Sequence, residues 1–141
     1  MRKLLLASVF LSLTWVNSCS LPNLESTSCS EARNTVRRFY SVHFANEIRP
    51  TGENAQESSS YLTERLARYL AAFPADGKDY FTQTDNFPKA FRVGSCISET
   101  EDVATFQVMM LWRDDSRDDQ SEVTVKTVRS GEKWLIDNVA K

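Results

Sequence analysis

His43 is the only histidine in the chain. With Asp79, Asp85 and Asp137 it supplies the residue types that general acid–base chemistry needs. A histidine base requires a cavity to face and a partner to orient its ring. In the series Val36, Phe39, Tyr40, His43, Phe44, the histidine falls on or beside an apolar helical stripe, so packing is preferred over catalysis. Asp79 and Asp85 flank an aromatic stretch and Asp137 lies in the last apolar run. Their spacing does not bring them together, and loop aspartates commonly accept bonds from backbone amides. The run Asp114-Asp115-Ser116-Arg117-Asp118-Asp119 is dense in acids, but it lacks the central glycine and late glutamate of a calcium loop. It reads instead as the solvated tip of a hairpin. The serines form no nucleophile elbow, and there is no glycine-rich phosphate loop. No catalytic residue is therefore assigned, and neither a cofactor nor a metal is expected.

Sulfur chemistry is more informative. The chain has three cysteines, Cys19, Cys29 and Cys96, at spacings that suit no metal site. Cys29 and Cys96 form an even pair once Cys19 is otherwise engaged, and they read either as a disulfide or as two buried thiols. A Cys19–Cys29 bridge would leave Cys96 odd.

Cys19 has a distinctive setting. A basic start, Met1-Arg2-Lys3, precedes a predominantly apolar thirteen-residue run, Leu4 to Val16, and then Asn17-Ser18-Cys19. This is the layout of a secretory leader, too short for a spanning helix. The segment Val16-Asn17-Ser18-Cys19 resembles the lipobox of bacterial lipoproteins. That resemblance implies cleavage after residue 18, lipid on Cys19 and a place in the cell envelope facing the periplasm. Ser20 directly after the cysteine resembles the signal for sorting to the outer rather than the inner membrane. A soluble periplasmic protein is the alternative.

The elements that would position these residues follow from periodicity. Cleavage would leave 123 residues, with 15 basic and 19 acidic, enough for one domain and without the basic tract that nucleic acid would require. Residues 19–28 read as a tether and 29–141 as a single domain. Ser28 and Glu31 stand at capping-box spacing before a helix running to about Asn46. Residues 49–54 read as a turn. A second helix is predicted from the Ser58–Ser60 cluster, with Leu62, Leu66, Tyr69, Leu70 and Phe73 on one side and Pro74 at its end. Residues 79–90 read as a loop whose aromatics are pinned inward.

The period then changes to two. Strands are predicted at Phe91–Ile97, with a bulge at Gly94, at Ala104–Trp112, around Val123 and Val125, and at Trp134–Val139 after a Ser130-Gly131 turn. Val128 is out of phase, which predicts a bulge or twist there. Helices followed by a meander specify an α+β domain, with N-terminal helices packed on a curved antiparallel sheet of about four strands. Tyr40, His43, Trp112 and Trp134 would then line a pocket in the cone or fill it.

The order of elements and the ending Glu132-Lys133-Trp134-Leu135-Ile136-Asp137-Asn138-Val139 resemble the cone fold of the nuclear transport factor 2-like superfamily. Three segments are similar to domain-of-unknown-function family 3828, whose relatives include YbjP-like bacterial envelope lipoproteins. They are Val36–Tyr40, Tyr61–Leu66 and Asp79–Gly94. The resemblance covers residues 31–140 and implies the fold and an envelope setting, with no catalytic residues to transfer. The expected role is a non-catalytic binding or accessory module for another envelope protein. Its rivals are a periplasmic inhibitor or immunity protein, and a small-ligand carrier or enzyme that uses the cone.

Overall fold

The structure, a computed structural model, describes residues 25–72, 77–114 and 117–141. The leader, Cys19 and the first part of the tether lie outside these residues, as do Phe73, Pro74 and the centre of the acidic run. Side chains 114–118 are likewise outside the description. The described residues form α1 (Thr27–Ile48), α2 (Gly52–Ser59), α3 (Glu64–Ala72), β1 (Ala90–Thr100), β2 (Val103–Asp114), β3 (Arg117–Ser130) and β4 (Lys133–Ala140). The strands make one antiparallel meander in the order β1-β2-β3-β4.

α1 begins earlier than the spacing of Ser28 and Glu31 predicts. Ser26 is the N-cap, its hydroxyl accepting from the Cys29 amide at 3.2 Å. Thr27 and Ser28 are therefore helical rather than tether, and Ser28 is buried with its Oγ donating to the Glu101 carbonyl at 2.9 Å. From there Cys29, Ala32, Val36, Phe39, Tyr40, His43 and Phe44 recur every three to four residues and are all buried. Burying one of the larger apolar side chains stabilises the fold by about 2–3 kcal/mol.

The 49–54 segment breaks α1 as expected, but from Gly52 onward it starts a new helix. Thr51 accepts from the Asn54 amide at 3.0 Å and caps α2. Residues 60–63, expected inside the second helix, form a link along β4. The Ile136 amide donates to Tyr61 O at 2.8 Å, and the Thr63 amide donates to Ile136 O at 2.9 Å. Thr63 then caps α3 through its Oγ1, which accepts from Leu66 N at 3.2 Å. Propensity marked a helix here, but the free edge of β4 claims these backbone groups.

The core lies between α1 and one face of the sheet, where Ala104, Phe106, Val108, Met110, Trp112, Val123, Val125 and Ile136 alternate inward. The β1 bulge falls between Val93 and Cys96, around Gly94 as expected. β2 and β3 stay in register from Val103↔Val128 to Asp114↔Arg117, so no bulge accounts for Val128. Val128 sits between Val103 and Leu135 on the helix-free face, while Thr127 takes the inward position, its Oγ1 donating to Ala104 O at 2.8 Å. The irregularity lies between β3 and β4, at Lys126/Thr127.

Candidate functional site

Three of the four candidate pocket residues hold the loop between α3 and β1. Tyr40 Oη donates to the Phe81 carbonyl at 2.8 Å, and Trp112 Nε1 donates to the Asn86 carbonyl at 2.9 Å. His43 Nε2 lies 3.0 Å from Asp79 Oδ2. Burial pushes the Tyr40 hydroxyl well above the usual tyrosine range, and the charge of Asp79 adds to this. It therefore remains a donor.

Asp79 organises the loop that it begins. Its Oδ1 accepts from the Phe81 and Thr82 amides at 3.0 and 2.7 Å, while its backbone carbonyl accepts from Gln83 N at 2.8 Å. Gln83 consequently adopts a left-handed conformation, with φ of 56°. Burial alone would raise the Asp79 carboxyl. The hydrogen bond and charge of His43, with the Thr82 bonds, outweigh it and hold the carboxyl below its usual range.

The orienting partner for His43 therefore exists, although sequence spacing concealed it across 36 residues. The pocket that a base would face is filled. The imidazole stacks on Phe39 at 5.5 Å between centroids and meets Phe81 at 5.0 Å and Phe87 at 5.7 Å. This pair therefore ties the loop to α1.

The other aspartates are engaged elsewhere. Asp137 Oδ1 accepts from Thr63 Oγ1 at 2.9 Å, and Arg65 Nη2 stands 2.8 Å from Oδ2. The Arg65 bond is the main reason that the Asp137 carboxyl lies below its usual range. Asp85 lines a separate surface hollow with Trp112 and Ser121. Cys29 and Cys96 are bridged, with Cα atoms 5.9 Å apart. Glu25 approaches both sulfurs, but the bridge leaves no thiolate for a metal.

Trp134 opens onto a different feature, a groove of about 780 Å³ between α1, the 60–61 link and the β3–β4 turn. Glu31, Asn34 and Thr35 come from one side of α1, facing Arg129, Lys133 and Tyr61 across the groove. Glu31 carries the central polar contacts. It pairs with Arg129 and accepts from Trp134 Nε1 at 3.2 Å, while the guanidinium covers the indole at 5.0 Å. Sequence reading singled out neither Arg129 nor Lys133. Their only local signal was the Ser130-Gly131 turn between them, where Gly131 has a φ of 62°.

Both sheet edges are blunted. The 61–63 link covers β4 at Ile136, and the Arg33 guanidinium donates to the bulged Gly94 carbonyl of β1 at 2.8 Å. Arg33 also pairs with Glu25 and lies over the Phe106 ring.

No family model matches the chain, and neither does any curated protein. A crystal structure of a protein of unknown function from Bacteroides thetaiotaomicron is similar to it, with a TM-score of 0.54 and 16% identity. The match covers 79% of this chain and 90% of that one. The likeness is one of fold. The domain is α+β, with helices packed against a four-stranded antiparallel sheet. Among the described residues, no helix is long and apolar enough to cross a membrane.

Proposed function

We propose that this is a lipid-anchored protein of the bacterial cell envelope, related to domain-of-unknown-function family 3828, with Cys19 as the lipid-bearing residue. Its domain faces the periplasm, from the outer membrane in preference to the inner, and acts as a non-catalytic binding module for another envelope protein. The Cys29–Cys96 bridge, ten residues behind Cys19, carries the reading. Such bridges persist in oxidising compartments, and the leader-like start supplies a route to one.

The enclosure of His43 among phenylalanines favours binding over catalysis. The groove beside Trp134, with charged and aromatic residues on its walls, supports a partner site. The same groove supports a second reading as a small-ligand carrier.

The intact mass of the native protein extracted in detergent tests the anchor. Acyl mass on a chain starting at Cys19, together with a two-hydrogen gain on reduction, is the expected result. A bare chain would make the protein a free periplasmic one. Lys133→Glu tests the groove. Photo-cross-linking from Asn34 to a specific envelope protein should be lost in this variant, whereas saturable uptake of a small molecule would favour the carrier.

A further inference from the structure

We infer that the end of the domain carrying the α1 N-terminus, the β1–β2 turn and the β3–β4 turn rests against a layer of zwitterionic phospholipid headgroups. The inference deepens the proposed function and rests on lipid at Cys19. Five residues separate Cys19 from Glu25, so the chain between them spans at most about 21 Å. α1, with 22 residues, is about 33 Å long. Its start is therefore held within that reach of the membrane, and the α1–α2 corner lies about a helix length from that start.

Three segments converge at the held end. Ser28 donates to Glu101 O at 2.9 Å, and the Arg129 amide donates to Asp102 O at 2.8 Å. Most charges there are mutually paired: Glu25 with Arg33, Glu99 with Lys126, and Arg129 with both Glu31 and Asp102. Glu101, Glu132 and Lys133 stand outside these pairs. The surface thus offers both signs at short range and no basic excess, which suits a headgroup holding phosphate and ammonium better than an anionic one. Ile97, 69% exposed beside this end, supplies an apolar contact at the headgroup boundary. The groove beside Trp134 shares Gly131, Glu132 and Lys133 with this end.

The test uses the native lipidated chain, its acyl mass verified, in nanodiscs of phosphatidylcholine and phosphatidylethanolamine doped with a headgroup nitroxide lipid. Amide signals of Ser98–Asp102 and Ser130–Lys133 should broaden several-fold more than those of the last turn of α1, residues 45–48. Ile97→Glu should reduce that difference while leaving the amide spectrum folded. Equal broadening at the two ends, or stronger broadening of the last turn of α1, would overturn the orientation alone. Absence of acyl mass would overturn the anchored reading and the orientation together.

Discussion

His43 Nε2 stands 3.0 Å from Asp79 Oδ2, and through that contact the penultimate turn of α1 holds the first residue of the aromatic loop. Both side chains are largely shielded, with 10% and 22% of their surfaces exposed. Four residues of the loop, Tyr80, Phe81, Thr82 and Gln83, take their backbone arrangement from hydrogen bonds centred on Asp79 and its turn.

Asp79→Asn should destabilise the domain by about 2–3 kcal/mol, because it breaks a shielded pair and weakens the acceptor for two amides. Urea unfolding midpoints at pH 7 would measure this.

The pH dependence follows from the same group. The folded-state carboxyl of Asp79 lies below its unfolded value, so its stabilising contribution is complete above the unfolded value of about 3.9 and disappears as pH falls through the folded one. Asp137 acts in the same direction. Stability should therefore fall below about pH 4, less steeply in Asp79→Asn than in the parent. Parallel acid titrations of the two chains would show a common slope if Asp79 made no contribution.

Tyr40→Phe removes the donor to the Phe81 carbonyl, leaving a shielded acceptor without that partner. The expected cost is about 1–2 kcal/mol, with the aromatic packing retained. Chemical unfolding would read the loss, and proteolysis within residues 79–88 should quicken with it.

The Cys29–Cys96 bridge spans a sequence separation of 67 and joins the first turn of α1 to the edge strand β1. Loop entropy predicts a loss of about 4 kcal/mol when both cysteines are replaced by alanine. Thermal melts of the double variant, and of the parent with and without reductant, should agree in direction.

Gly94 and Ile97 lie three residues apart on β1 and should differ in their tolerance of substitution. A Cβ on Gly94 would meet the Gln107 backbone oxygen at 3.1 Å, within a paired strand that has little room to yield. Gly94→Ala should cost about 1 kcal/mol, whereas Ile97→Ser, at an exposed position, should stay within about 0.5 kcal/mol of the parent. Equilibrium unfolding of the pair decides between them.

The inward stripe of α1 and the alternation from Ala104 to Trp112 were legible because burial repeats with the period of the element itself. So were the Gly94 bulge, the Ser130-Gly131 turn and the α+β class. Local rules were less sure where two of them competed. Thr51 caps a helix in a segment rich in turn formers, and the 60–63 link gives up helical bonds for the edge of β4.

The candidate site shows the division most clearly. His43, Tyr40, Trp112 and Trp134 are recognisable in the sequence as aromatic groups with polar atoms to satisfy, yet nothing local says whether they line a space or close it. Tertiary structure decides this by bringing Asp79, Phe81 and Asn86 to the first three and Glu31 to the fourth. Sequence periodicity reports which side of an element is buried. It carries no record of which distant acceptor completes a hydrogen bond, because that partner is chosen by chain closure and packing in three dimensions.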